Sequence, residues 1–383
     1  MKVLILGDAS NPHIIKWANA LYSSGIEIII FSFRKNGSVV FKDGIEIFCI
    51  DSLYNITLKK NAALSKVFYL KAIPQLKALI KNSKPDIIHA HYASSYGFLG
   101  ALMNFHPFVI SVWGSDVIDF PKTSILHKEL FKFNLWKADR ILSTSRFMAD
   151  LISKYTSKEI FITPFGIDLE LFKPQPKSNF YFKKDEIVVG CIKGLEWYYG
   201  IEYLIEAYQK VISLLPEKKI RLLIVGGGAI EQKIKSIIKK NRLEDKVLLT
   251  GRVDYKEIHK YHNMVDIFVA VSVYEESFGV AVLEASACEK PVIISRVGGM
   301  IEVVEEGVTG YIVPPRNSEL TALKITELVL NPSLRQKFGA AGRERVQKLF
   351  DLEVCLKNMI NIYNELLNFK VYGTLETKKN RDI

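Results

Sequence analysis

Residues 272–315 read SVYEESFGVAVLEASACEKPVIISRVGGMIEVVEEGVTGYIVPP, and this stretch decides the fold. An apolar run from Asp266 to Val273 predicts a buried strand, and Gly279 to Cys288 has the small residues and apolar spacing of a helix. Glu276 then lies in the turn between them, and Glu284 about a turn and a half into the helix. The backbone N–H groups of Phe278, Gly279 and Val280 fall at the helix N-terminus, where unpaired donors and the dipole favour an anion such as a phosphate. Two glutamates at this spacing also fit a plainer reading, in which Glu276 caps a helix and Glu284 is solvated. Val297-Gly298-Gly299 and Gly310-Tyr-Ile-Val-Pro-Pro315 follow, and they favour a built site.

Working outward, strand-length apolar runs alternate with helical patterns over the whole chain. Lys2–Leu6, Glu27–Phe33, Asp86–Ala90, Phe108–Val112, Arg140–Ser143 and Ile160–Thr163 lie in the first half. Glu186–Ile192, Ile220–Val225, Lys246–Thr250 and Pro291–Ser295 lie in the second. This alternation predicts two doubly wound α/β domains with parallel sheets. Short helices are expected at Tyr255–Asn263 and, after Gly298-Gly299, at Ile301–Glu306. The end of the chain reads as three helices, Ser318–Leu330, Pro332–Leu349 and Asp351–Phe369, with a frayed polar tail from Val371.

The first strand loop, Gly7-Asp8-Ala9, lacks the G-x-G-x-x-G pattern of a dinucleotide-dependent oxidoreductase, which argues against that class. The four cysteines have no metal-type spacing and read as reduced, buried thiols. Net charge is +11, unevenly placed. Residues 52–85 hold seven lysines and no acidic residue. Within them, residues 58–82 form a basic amphipathic stretch, interrupted or restarted at Pro74. Such a face suits either an anionic membrane surface or solvated lysines over a packed helix. No nucleic-acid module is recognisable. No apolar run is long enough to span a bilayer and no signal peptide is read, so a cytoplasmic protein is expected, peripheral on the inner membrane face if the basic stretch binds lipid.

Ser272, Glu276, Phe278, Gly279, Leu283, Glu284 and Ala285 together resemble the donor-site signature of family-4 retaining glycosyltransferases. The resemblance implies the GT-B fold: two Rossmann-like domains facing a cleft, with the last helix crossing back to the N-terminal domain. Expected boundaries are 1–170 for the acceptor domain, 171–350 for the donor domain and 351–383 for the crossover helix and tail. It also implies transfer of a hexosyl group from a nucleoside-diphosphate sugar, UDP before GDP, to a hydroxyl acceptor with retention and without a metal. The setting would be polysaccharide or lipid-linked glycan assembly, and the nucleotide sugar is a co-substrate, so no cofactor is expected.

The resemblance assigns Glu276 to the transferred sugar and Glu284 to the ribose. Lys193, Ser277, Phe278, Gly279, Val280, Gly227, Arg252 and Val253 would complete the donor site. Asp116 would meet a sugar hydroxyl or the acceptor, and His13, His91 and Trp113 are further acceptor or sugar candidates. The chain departs from the pattern at three such places. Trp113 stands where relatives carry a histidine before Gly114-Ser-Asp116. Tyr199 stands where they carry the second diphosphate-neutralising cation, with Arg252 and Arg296 as replacements. Asp8 and Ala9 replace two glycines of the first loop. Rival readings are a nucleotide-sugar epimerase on the same fold and a non-catalytic sugar-nucleotide-binding relative.

Overall fold

The computed structural model describes residues 1–34, 40–50, 69–177 and 181–379. The chain divides into two compact units: Met1–Pro164 with Cys355–Ile383, and Phe165–Val354.

Unit 1 holds a seven-stranded sheet: β1 (Lys2–Leu6), β2 (Glu27–Ser32), β3 (Glu46–Cys49), β4 (Ile87–His91), β5 (Phe108–Val112), β6 (Arg140–Ser143) and β7 (Ile160–Ile162). Their order is β3-β2-β1-β4-β5-β6-β7, and every pairing is parallel. The central strands IIHAH and FVISV are buried at every position, as expected of a parallel sheet covered on both faces. Leu99, Phe131 and Leu135 from flanking helices close one side of the core. The final helix, Leu352–Lys379, belongs to this unit from Cys355 onward, which is the crossing-back that GT-B implies. It continues to Lys379, beyond the end expected at Phe369.

Unit 2 holds β8 (Ile187–Ile192), β9 (Ile220–Val225), β10 (Val247–Leu249), β11 (Ile267–Ala270), β12 (Val292–Ser295) and β13 (Gly310–Val313). These lie in the order β10-β9-β8-β11-β12-β13, again all parallel. The core packs Tyr208, Ile205 and Val211 of helix Ile201–Leu214 and Phe338 of helix Pro332–Leu349 against the sheet. Two doubly wound units are what the strand alternation predicts.

One local expectation needs correction. The helix placed at Ile301–Glu306 is a 3-10 turn over Gly298–Glu302. The β-branched pair Val303-Val304 resists helix propagation, and Gly307, at φ 74°, turns the chain toward β13. Of the basic stretch 58–82, residues 58–68 lie outside the described residues. Among the described residues, 69–72 form a 3-10 turn and helix Ile73–Ser83 begins with Pro74 in its first turn, which agrees with a restart at the proline.

Candidate functional site

In unit 2 the sheet order reverses between β8 and β11. Open α/β sheets bind ligands beyond the strand C-termini at such a point. The loops leaving β8 and β11 carry Lys193 and Glu276. Lys193 Nζ donates to Glu276 Oε2 at 2.6 Å, and each side chain is only 11% exposed. Glu276 Oε1 accepts the Ser272 hydroxyl, and Ser295 Oγ donates to the Ser272 carbonyl at 2.5 Å. The Tyr199 ring lies 4.4 Å from Lys193 Nζ, and Tyr198 packs edge-on against Tyr199. Burial works against the Lys193 charge, but Glu276 and then Tyr199 hold the ammonium above its ordinary range. The Tyr199 ring therefore supports the Lys193 ammonium by a cation–π contact.

The glycines here make room for backbone. Gly226 sits at φ 143°, and a Cβ on it would come within 1.9 Å of the Lys193 carbonyl oxygen. Gly298, at φ 50°, would bring a Cβ to 2.1 Å from the Glu276 carbonyl oxygen. Both positions demand glycine. The Gly226 N–H donates to Gly251 and the Leu195 N–H to Gly227, so the loops after β8, β9 and β10 form one surface. A Cβ on Gly227 would lie 3.5 Å from the Arg252 backbone nitrogen, which sets the exposed Arg252 and the half-buried Val253 beside the glycine loop. Arg296 is also exposed, after β12.

Helix Val280–Ala287 starts from Gly279 at φ 126°. Among the described residues, the N–H groups of Phe278, Gly279 and Val280 meet no acceptor. The Phe278 ring is buried against Phe165 and Phe350 and fixes the turn, with half-buried Ser277 next to it. Glu284 is 4% exposed, so it is not a solvated surface carboxylate. Tyr255 Oη donates to its Oε1 at 3.1 Å, and His262 Nε2 lies 3.4 Å from its Oε2. Burial and the neighbouring carboxylate push the Tyr255 hydroxyl well above its ordinary range. The Tyr255 partner and the nearby His262 are neighbours that no spacing in the sequence announces.

In unit 1 the order reverses between β1 and β4, and the candidates from this half gather there and at the neighbouring end of β5. His91 stacks on His89 at 4.2 Å between ring centroids and lies 4.7 Å from Trp113. His13 meets Trp113 edge-on at 6.0 Å, and Tyr92 does so at 5.6 Å. Tyr92 holds φ at 78°, a conformation costly for a non-glycine residue and frequent at functional sites. His89 is fully satisfied: Nδ1 pairs with Tyr363 Oη at 2.6 Å and Nε2 with Ser111 Oγ at 2.7 Å. Neither ring nitrogen of His91 has a hydrogen-bond partner among the described residues, although the side chain is buried. Burial lowers the pKa of His13 and of His89 to about 3, Lys16 adding to the effect on His13, and it lowers His91 well below the ordinary value. All three are neutral imidazoles near pH 7.

Asp116, expected to meet substrate, uses its carboxylate inside the protein. Its Oδ2 accepts the Ala93 N–H at 2.8 Å, and its Oδ1 accepts those of Gly114 at 2.8 Å and Trp113 at 3.2 Å. The geometry makes it the anchor of the loop that presents Trp113. Asp8, in the loop after β1, accepts from Ser10 and pairs with Arg34 at 3.3 Å.

None of the four cysteines forms a disulfide, and burial pushes the Cys191 and Cys288 thiols up to about 12. Among the described residues no group of three or more His, Cys, Asp or Glu side chains is arranged to hold a metal ion. No described helix is long and apolar enough to cross a membrane.

Residues 173–345 match the family described as glycosyl transferases group 1, and residues 2–145 match glycosyl transferase 4-like. An uncharacterized glycosyltransferase of Methanocaldococcus jannaschii is 28% identical over 81% of this chain and 83% of its own. The capsular polysaccharide biosynthesis glycosyltransferase CapM of Staphylococcus aureus is 27% identical over 88% of this chain and 93% of its own. Among solved structures, sucrose-phosphate synthase of Thermosynechococcus elongatus superposes with a TM-score of 0.79 at 21% identity, covering 96% of this chain and 99% of that one. HepE of Anabaena, solved with UDP and glucose, superposes with a TM-score of 0.76 at 19% identity, covering 95% and 100%. These structures share the two-domain GT-B fold.

Proposed function

We propose that the chain is a glycosyltransferase of the group 1 type, in keeping with its matches over residues 173–345 and 2–145, and that it moves a hexosyl group from a nucleoside-diphosphate sugar, UDP- before GDP-, to a hydroxyl acceptor with retention, without a metal. The observation that carries this reading is the buried Lys193–Glu276 pair at the switch point of unit 2, bordered by the N–H groups of Phe278, Gly279 and Val280. A lysine and a helix N-terminus neutralise a leaving diphosphate, and a carboxylate beside them hydrogen-bonds sugar hydroxyls. Glu284, steadied by Tyr255, is the ribose acceptor in this reading. Arg252, beside Gly227, is the better placed replacement for the missing second cation.

No second carboxylate is assigned as a nucleophile, and the step is written as a front-face displacement. The bond from the anomeric carbon to the diphosphate oxygen breaks, and the acceptor oxygen bonds to the same face. The acceptor proton passes to the departing diphosphate. Lys193 stabilises the charge that develops on that oxygen, which is where electrostatic catalysis contributes most. His91 and Trp113 in unit 1 hold the acceptor or the transferred sugar. The setting we favour is polysaccharide or lipid-linked glycan assembly, in keeping with the name of CapM.

The test is product analysis. Wild type is incubated with UDP- and GDP-sugars, with and without a glycan or polyprenyl-phosphate-sugar acceptor, and the new linkage is read by proton NMR. Product that forms only with acceptor and keeps the donor's anomeric configuration supports the reading. Sugar interconversion without acceptor would instead favour the epimerase.

A further inference from the structure

Helix Ile125–Lys137 packs Phe131, Asn134 and Leu135 into the core of unit 1. Its outward side is unusual. Ile125 is 81% exposed and Leu126 71%, the two most exposed large hydrophobic side chains among the described residues, and Trp136 follows at 65%. Single exposed apolar residues need no explanation, but this concentration on one helix does. With about 100° of turn per residue, Ile125 and Trp136 share one line along the helix, and Leu126 and Phe133 run beside it. The Phe133 ring lies 6.2 Å from that of Trp136.

The charges frame this apolar strip. Lys128 and Lys132 fall along one edge and Lys137 along the other, its Nζ 4.9 Å from the Trp136 ring. Lys122 lies just ahead of the helix. Against four lysines the segment 122–137 carries one carboxylate, Glu129, which falls within the strip between Ile125 and Leu126 and is neutralised there by Lys132 at 2.9 Å. Like charge of this kind opposes pairing of the face with a second copy of itself. A helix lying flat, with aliphatic side chains and a tryptophan outward and lysines at both edges, fits an anionic lipid interface.

We propose that the outward face of helix Ile125–Lys137 docks this chain on an anionic membrane surface, with Ile125 and Leu126 entering the acyl boundary, Trp136 at the headgroup level and the lysines on lipid phosphates. The docking is separate from the basic stretch 58–82 and does not depend on the transferase reading.

Flotation of the full chain with two vesicle types tests it: phosphatidylcholine alone, and equal parts of phosphatidylcholine and phosphatidylglycerol. Wild type floats with the mixed vesicles, less so at high salt, and stays behind with phosphatidylcholine. Ile125→Glu/Leu126→Glu lowers the partition coefficient by about tenfold or more, because both apolar contacts are lost. Trp136 emission, taken as the difference between wild type and Trp136→Phe, shifts to the blue on the mixed vesicles. Both glutamates replace exposed side chains, so circular dichroism and Tm stay at wild-type values. If the double variant does not fold, Lys122→Gln/Lys128→Gln must still weaken flotation at low salt. Unchanged flotation of a folded variant, no flotation of wild type, or an oligomer in size-exclusion chromatography that the double variant dissolves would each overturn the proposal.

Discussion

The two units share one strand order around their switch points, yet the sites built there have opposite electrostatics. In unit 2, charge is concentrated and partnered: Lys193 with Glu276, and Glu284 with the Tyr255 hydroxyl. In unit 1, His13, His89 and His91 are held neutral by burial, and the one buried carboxylate among the described residues, Asp116, accepts three backbone N–H groups. The topology fixes where the loops emerge, and the side chains decide what they can hold. A paired lysine and open helix N–H groups suit a diphosphate. A neutral pocket of imidazoles around a tryptophan suits a hydroxylated ring without charge.

The sharpest way to break this contrast is to remove charge from unit 2. Lys193→Met should lower kcat by about 10²–10³-fold, the range for loss of a group that stabilises developing charge. It also strands Glu276 in a buried site, and breaking such a pair costs about 3–5 kcal/mol at most. Lys193→Met/Glu276→Gln should regain stability in urea denaturation but not activity. If the double variant is no more stable than the single one, the pair is not the buried unit described above.

Next in size is Tyr199. Tyr199→Leu should weaken nucleotide-sugar binding by about 5- to 30-fold, matching a cation–π contact of about 1–2 kcal/mol, while Tyr199→Phe keeps the ring and the affinity. Equal losses in both variants, read by isothermal calorimetry, would assign the effect to the hydroxyl instead.

Unit 1 should answer to different ligands. His91→Phe keeps the shape against Trp113 and removes both ring nitrogens. It should raise the acceptor KM several-fold and leave the nucleotide Kd unchanged. A change in nucleotide Kd of the same size would erase the contrast between the two sites.

The smallest effect is in pH. His89 has its pKa lowered from the ordinary 6.5 to about 3 by burial. Below pH 6.5 the unfolded chain takes up a proton that the folded chain refuses. Its contribution is therefore complete above pH 6.5 and is lost as pH falls toward 3, at no more than about 1.4 kcal/mol per pH unit. Urea denaturation at pH 7 and pH 5 should show a shallower loss in His89→Gln than in wild type.

Much of this was readable from residues alone. Apolar runs such as KVLIL, FVISV and IRLLIV announce buried parallel strands, and the Glu276–Glu284 stretch places two carboxylates around one helix start. The partners were not readable. Tyr363 meets His89 from the far end of the chain, and Tyr255 and His262 reach Glu284 from elements that are distant in sequence, because side-chain pairing follows packing and not spacing. Asp116 misleads for a related reason: a strand-end carboxylate looks available until the N–H groups around it are known. The exposed face of helix Ile125–Lys137 depends on which side packs on the sheet, which the apolar spacing alone does not decide.

The most direct measurement is a thermal-shift panel of UDP, GDP, ADP and their sugar forms on wild type, Glu284→Ala and His91→Phe. A ligand that binds only the folded chain must raise Tm. The account predicts that one nucleotide class stabilises wild type and His91→Phe alike and fails to stabilise Glu284→Ala. No shift with any nucleotide, or a shift that survives in Glu284→Ala and disappears in His91→Phe, would contradict it.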